Sequence, residues 1–475
     1  MPRDDAPGAG DLGDLAIVLH SHMPYVEGFG TYPFGEEWLF DAMARSYLEV
    51  LNRARDLTVT VTPVLADQLE AEGVADRMRS FLGRYRLGAA EHEASAASPE
   101  LRPAAEAEAE RYREALTLLD DLDGDLLAPF REAAQERNVA LLPSCATHAV
   151  LPLIATAPLR RLQIDVGLRS HLRRFGPAEG FWLPECAYRP GIESLLAERG
   201  LCFFPCHQAA RDSLEPLVPA RAGSGLVAFT LDWEAVELVW SASGYPSDPG
   251  YSEFHRLSME GVRLWAIGGG PYDPAAARAK AAEHATAFLR AVAERLGAFR
   301  EGRGMPGLVV FAVDTELLGH WWSEGAMWLE AVVRLAAEHD VRLVTLPQAV
   351  RRHQPEERSL RESSWGEGKD LRTWDSPAVA DLAWAARRLE LRLLRALGSG
   401  GIAPAAAHRA TRELLAVQAS DWAFLDQRRQ AGDYPYRRST AHAHAALEAI
   451  HSAEPPDPRM RNLAPDLTLA PLLEP

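Results

Sequence analysis

The sequence predicts an α/β protein whose parallel strands close, or nearly close, into a barrel, with helical appendages. Three observations predict it. About eight short apolar runs recur along the chain, most of them separated by helical segments. Polar residues with catalytic chemistry follow the carboxyl ends of several runs, which is where α/β barrels carry their sites. Two long stretches made almost entirely of helix formers interrupt the alternation.

The elements follow in order. The polar start, Met1 to Gly8, has no apolar core, so no signal peptide is expected. Leu15 to Leu19 is a continuous apolar run ending in His20, the pattern of a strand buried on both faces. Val59 to Val64 repeats it. Residues 69–137, rich in Ala, Glu, Arg and Leu, read as a helical insertion rather than a crossover. Strand runs resume at Val139–Leu142, Phe181–Leu183, Cys202–Phe204, Val262–Ile267, Leu308–Val313 and Val341–Thr345. The barrel therefore takes residues 1–68 and 138–350. Residues 351–377 form a Trp-bearing loop. Asp381 to Leu391 shows a 3.6-residue apolar period, and 378–453 reads as a C-terminal helical domain. The Pro-rich end, 454–475, reads as an extended tail.

Composition excludes several classes. The 475 residues carry 50 Lys and Arg against 67 Asp and Glu, a net charge of −17, so gripping a nucleic-acid backbone is not the expected work. With 47% hydrophobic residues the chain can bury a large core, which excludes wholesale disorder. No stretch approaches the apolar length of a membrane span. Cys145, Cys186, Cys202 and Cys206 are too few for a disulfide framework and read as reduced thiols of a cytoplasmic protein.

Four segments can carry chemistry. His20-Ser21-His22 follows the first strand, and side chains two apart on an extended segment face one way. They suit sugar hydroxyls or a metal, or a structural pair. Glu185 directly follows the Phe181–Leu183 run and is flanked by Trp182 and Tyr188. A carboxylate there is costly unless a nucleophile, base, ligand or ion pair uses it. Asp314 ends the Leu308–Val313 run, with Glu316, His320, Trp321 and Trp322 close behind. Two carboxylates from different strands among aromatic residues fit glycoside hydrolysis, with Trp faces as sugar platforms. Trp365 and Trp374 lie in a Gly-punctuated loop and read equally as core or platform. Cys202, Cys206 and His207 make an incomplete zinc set, and Gly268-Gly269-Gly270 lacks the pattern of a dinucleotide site.

Together these segments resemble the 1,4-α-glucan branching enzymes of glycoside hydrolase family 57. The resemblance runs from His20 to Gln418-Ala419-Ser420-Asp421-Trp422 and includes Cys145-Ala146-Thr147-His148, Val239-Trp240-Ser241, Gly244-Tyr245-Pro246 and Pro271-Tyr272-Asp273-Pro274. It implies an incomplete (β/α)7 barrel with a helical insertion and a C-terminal α-helical domain, so one of the eight runs falls outside the barrel. It implies Glu185 as nucleophile and Asp314 as general acid/base of a retaining mechanism. It places His20, His22 and His148 around the cleaved bond, Trp265, Trp365 and Trp374 around the sugars, and Asp421 near the cleft. It implies no metal or organic cofactor, an α-1,4-glucan as partner, and a monomer or weak homo-oligomer.

One segment departs from that pattern. Residues 211–225 stand where these enzymes carry a long Tyr-tipped loop over the site, and here the segment is short and has no Tyr. Transfer depends on keeping water out. An α-glucan hydrolase or 4-α-glucanotransferase on the same site is therefore the first alternative. A non-catalytic glucan-binding protein and a metal-dependent deacetylase using His20 and His22 are the others.

Overall fold

A computed structural model describes residues 12–30, 34–209, 212–451 and 462–473. Nine strands occur in it: β1 Gly13–Ser21, β2 Thr58–Val61, β3 Ala140–Leu142, β4 Phe203–Cys206, β5 Ala220–Arg221, β6 Val227–Thr230, β7 Gly307–Asp314, β8 Val341–Leu343 and β9 Glu356–Glu357. Hydrogen-bonded order is β3-β2-β1-β7 in one sheet and β4-β6-β5-β9 in the other. β1 is buried along its whole length, as a central parallel strand must be.

Residues 180–183 join the two sheets. Trp182 N donates to Pro143 O (2.9 Å) and Phe181 N to Phe203 O (3.1 Å). On the far side Asp232 N, just past β6, donates to Val310 O of β7 (2.8 Å). The ring therefore runs β1, β2, β3, residues 180–183, β4, β6, β7 and back to β1. That is a seven-membered α/β barrel whose β6–β7 seam is thin.

Three expectations need correction. Val262–Ile267 is no barrel stave: its apolar residues enter an antiparallel excursion held by single bridges, Leu257 to Arg263 and Ser252 to Ala266. The stave it displaces is β6, a short run missed in the sequence. Val341–Leu343 pairs with the amino end of β1 beside the ring rather than within it. The end of the chain is not an extended tail where it is described. Residues 454–461 lie outside the described residues, but Leu463 and Ala464 are buried, Ala464 N donates to Asp67 Oδ2 (2.7 Å), and Ala470–Leu473 is helical. Leu463, Leu467 and Leu472 supply the apolar surface that docks it.

Helices fill the rest. Between β2 and β3 the segments Val74–Phe81, Gly88–Ala96, Arg102–Asp121 and Ala128–Glu136 are helical. The longest helix, Pro274–Arg303, begins with Asp273 accepting from Ala275 N and Ala276 N and stops at Gly304, φ +71°. Ala380–Gly398, Pro404–Val417, Ser420–Gln427 and Tyr434–His451 make the C-terminal helices. Their Leu389, Leu393, Leu414 and Ala446 share one apolar cluster with Leu159, Leu162 and Val166 on the barrel helix Ala157–Phe175. Shared burial fixes these helices against the barrel mouth. Among the described residues no helix is long and apolar enough to cross a membrane.

One glycine locks the mouth. The turn after β7 passes so close to Met43–Tyr47 that a Cβ on Gly319 would stand 1.9 Å from the Arg45 carbonyl oxygen, and its φ is +98°. Gly319→Ala is expected to lower stability by about 2 kcal/mol or more, read by chemical denaturation.

Candidate active site

His20 and His22 leave the end of β1 on the same side, and His20 is in register with Asp314 at the end of β7. Glu185 follows residues 180–183 in the tight turn Pro184–Cys186. Its φ is +60° and that of Cys186 is +48°, two left-handed non-glycine residues in succession. His148, after β3, is also left-handed, at +57°. Such backbone strain persists only where surrounding contacts over-determine it. Here they do: Trp365 N donates to Glu185 O (3.0 Å), and Ser420 N to His148 O (3.2 Å).

These residues open on one cavity of about 790 Å³, within the range of small-molecule and oligosaccharide clefts. His20, His22, His148, Glu185, Asp314, Trp321, Trp365 and Asp421 all line it. Two expected residues do not. Trp374 is buried behind the Trp365 loop, where a Cβ on Gly366 would touch its ring at 2.8 Å. Trp265 carries the Arg256 guanidinium over its ring at 4.3 Å. Sequence reasoning missed Trp38, Trp233, Phe254 and Phe424, which with Trp240 add an aromatic wall, and Arg428 beside them. It named Trp240, Glu316 and Ser420 without giving them a role.

The hydrogen bonds are specific. Glu185 Oε1 accepts from Ser420 Oγ (2.9 Å) and Oε2 from Trp365 Nε1 (3.2 Å). His22 Nε2 meets Asp421 Oδ1 at 2.8 Å, and its Nδ1 meets Thr62 Oγ1 at 3.1 Å. Glu316 Oε1 accepts from His22 N (3.0 Å) and from the Tyr47 hydroxyl. Among the described residues no hydrogen bond reaches the Asp314 carboxyl. Trp182, fully buried, stacks on His20 with centroids 4.7 Å apart.

Electrostatics separates the two carboxyls. Burial raises Glu185 to about 7 and the Asp421 charge adds to this, while Ser420, His22 and Trp365 oppose it. Burial, then the charges of Glu316 and Glu185, push Asp314 well above the usual carboxylate range. Burial takes Glu316 to about 7. His20 and His148 are driven well below the usual imidazole value by burial. Burial also opposes a charge on His22, but the Asp421 charge and hydrogen bond outweigh it and raise the ring. Chemically the site presents two carboxyls to the same space, Glu185 held by two donors and raised to about 7, and Asp314 raised well above its usual range. With both nitrogens of His20 and His22 engaged, neither ring presents a lone pair to a metal. Among the described residues no three His, Cys, Asp or Glu form a metal-ligating group, and this includes Cys202, Cys206 and His207.

Comparison with known proteins matches this geometry to a family. The model of glycosyl hydrolase family 57 matches residues 16–211, and that of the 1,4-alpha-glucan branching enzyme C-terminal domain matches residues 382–464. A 1,4-alpha-glucan branching enzyme of Thermococcus kodakarensis is 33% identical, over 91% of this chain and 72% of its own. The chain belongs to glycosyl hydrolase family 57. Two crystal structures are similar to it. A branching enzyme from Thermococcus kodakaraensis is 29% identical, with a TM-score of 0.90 over 98% of this chain and 97% of that one. The alpha-amylase AmyC from Thermotoga maritima is 26% identical, with a TM-score of 0.81 over 92% of each chain.

Proposed function

We propose that the protein is a retaining α-glucan transglycosylase that cleaves α-1,4 bonds and builds α-1,6 branches. The observation that carries the reading is the pairing of Glu185 and Asp314 at one barrel mouth, Glu185 with two hydrogen-bond donors and Asp314, among the described residues, with none. The branching enzymes it resembles across nearly its whole length support the choice of reaction.

In the first half-reaction Glu185 attacks the anomeric carbon and the glycosidic bond breaks, with Asp314 giving its proton to the departing 4-oxygen. The bond from Glu185 to C1 holds the donor chain. In the second half-reaction the 6-hydroxyl of another glucan attacks C1, Asp314 takes its proton, and Glu185 leaves as carboxylate. His20, His22, His148 and Asp421 surround the sugar at the cleaved bond. Trp321, Trp365 and the wall of Trp233, Trp240 and Phe254 offer faces for the flanking sugars. The chain's own groups supply every proton, so the scheme needs no cofactor. Four free thiols, Cys145, Cys186, Cys202 and Cys206, support a cytoplasmic setting.

One observation favours a second reading. Residues 212–225 contribute nothing to the cavity wall and instead form β5 against β6. The donor site is thereby less covered against water, which favours hydrolysis. Linkage analysis of amylose after treatment decides between them. Branching gives new α-1,6 linkages with few new reducing ends. New reducing ends without α-1,6 linkages would make the protein an amylase. In either case kcat/KM is expected to fall as pH drops through about 7, because Glu185 takes up a proton there and loses its nucleophilic lone pair.

A further inference from the structure

The Glu185 carboxylate ends a line of side chains whose mutual hydrogen bonds the transfer scheme does not use. Thr60 Oγ1 lies 2.5 Å from His20 Nδ1, and His20 Nε2 lies 3.0 Å from His148 Nε2. His148 Nδ1 lies 2.9 Å from Ser420 Oγ, which lies 2.9 Å from Glu185 Oε1. Four separate parts of the fold supply them: β2, β1, the segment after β3, and the C-terminal helix Ser420–Gln427. Thr60, His20, His148 and Ser420 are each at most 2% exposed, so water does not compete along the line.

Counting protons leaves one arrangement. An ionised carboxylate only accepts, so Ser420 donates to Glu185. Its single proton is then committed, and Ser420 must accept from His148 Nδ1–H. A neutral His148 then has a bare Nε2, which accepts from His20 Nε2–H. The remaining nitrogen of His20, Nδ1, accepts from the Thr60 hydroxyl. Two Nε2 atoms at 3.0 Å cannot both carry protons, and deep burial keeps both rings uncharged.

We propose that Ser420 is a positioning residue that holds Glu185 ionised, and that it does so at the end of a relay directed from Thr60 through neutral His20 (Nε2–H) and neutral His148 (Nδ1–H). The proposal rests on Glu185 being the nucleophile. Its consequence is coupling. A proton on Glu185 Oε1 would make that oxygen a donor, Ser420 would have to donate to His148 Nδ1, and both imidazoles would have to change tautomer. The charge on Glu185 and the tautomers of two histidines thus move as one unit.

Other groups also face Glu185. Asp421, on the Ser420 helix, disfavours its charge, and His22, from β1, favours it. The Trp365 indole donates to Oε2 from the opposite loop. Asp314, from β7, interacts with it through charge. None of these reaches Oε1, and the uncharged His148 ring approaches it through Nδ1 at 3.7 Å, beyond hydrogen-bond distance. The Ser420 hydrogen bond to Oε1 is separable for that reason.

Neutron diffraction from deuterium-exchanged crystals of the full chain at about pH 9, where Glu185 is ionised, reads the line directly. Deuterium is expected on His148 Nδ1 and His20 Nε2, with the Ser420 hydroxyl aimed at Glu185. Deuterium on His148 Nε2, or on both of its nitrogens, overturns the relay. The second arm is kinetic. Ser420→Ala should move the acidic limb of kcat/KM on amylose up by about one pH unit, and Ser420→Thr should bring it back. An unmoved limb in a folded Ser420→Ala, or an equal loss at every pH, overturns the role of Ser420. Should the protein not act on amylose at all, the glucan reading fails while the neutron map still decides the relay.

Discussion

Glu185→Gln is expected to lower kcat on amylose by about 10⁴-fold or more while leaving the fold intact, as circular dichroism and glucan binding would show. The neutral amide is too weak a nucleophile to attack C1 at a useful rate. Its carbonyl oxygen still accepts from Ser420, so the Pro184–Cys186 turn keeps its anchor on that side. Its NH₂ would face the Trp365 N–H, donor against donor, which costs some order in the Trp365 loop. Wild-type turnover in this variant would remove Glu185 from the chemistry and require another nucleophile.

The second large effect is at the proton donor. Asp314→Asn is expected to lower kcat on amylose by about 10²–10⁴-fold, with a much smaller loss on an α-glucosyl fluoride, whose leaving group needs no proton. The same substitution should stabilise the fold at neutral pH. Asp314 in the folded chain holds its proton well above the reference value of 3.8, whereas the unfolded chain releases it near that value. The folded state therefore binds the extra proton, and this group's contribution to stability falls as pH rises above the unfolded range. Asparagine needs no proton, so the variant gains on the wild type as pH rises towards 7. Denaturant midpoints of the two proteins across that range check the sign. A residue that weakens the fold where it works is expected of a buried catalytic carboxyl.

Much of this site is legible in the amino acids because strand ends mark it. His20 and Asp314 each close an apolar run, and Glu185 follows one, so the pattern that identifies a buried strand also points to the barrel mouth. The strand map is less legible. Val262 to Ile267 has the apolar content of a stave, but its partners are a few residues away in an antiparallel excursion. β6, Val227–Thr230, is no shorter than the runs at 181–183 and 202–204, so its length does not hide it; it follows closely on the Gly223-Ser224-Gly225 turn. Residues 180–183 occupy a stave position with few ladder hydrogen bonds, because Pro184 immediately ends the run.

Contacts between distant segments are the part that pattern reading misses. Ser420 lies 235 residues from Glu185 in sequence, and a serine at the start of a short helix carries no sign that it meets a carboxylate. Tyr47 reaches Glu316 across 269 residues. Trp374 shows the opposite failure. As an aromatic residue in a glycine-rich loop it suggests a sugar platform, but packing takes its ring behind the loop, and Trp365 alone of the pair lines the cavity. Composition distinguishes neither case, since burial of a Trp and its display to a ligand draw on the same apolar surface.

The most direct measurement is capture of the bond from Glu185 to sugar. In Asp314→Ala an α-maltotriosyl fluoride should still load the enzyme, because fluoride departs without a proton, while release is slowed by loss of the base. Digestion and mass spectrometry should then find the maltotriosyl mass on the peptide containing Glu185. The same mass on Asp314-flanking Glu316 or on Asp421, or product of inverted anomeric form with no adduct anywhere, would contradict the account.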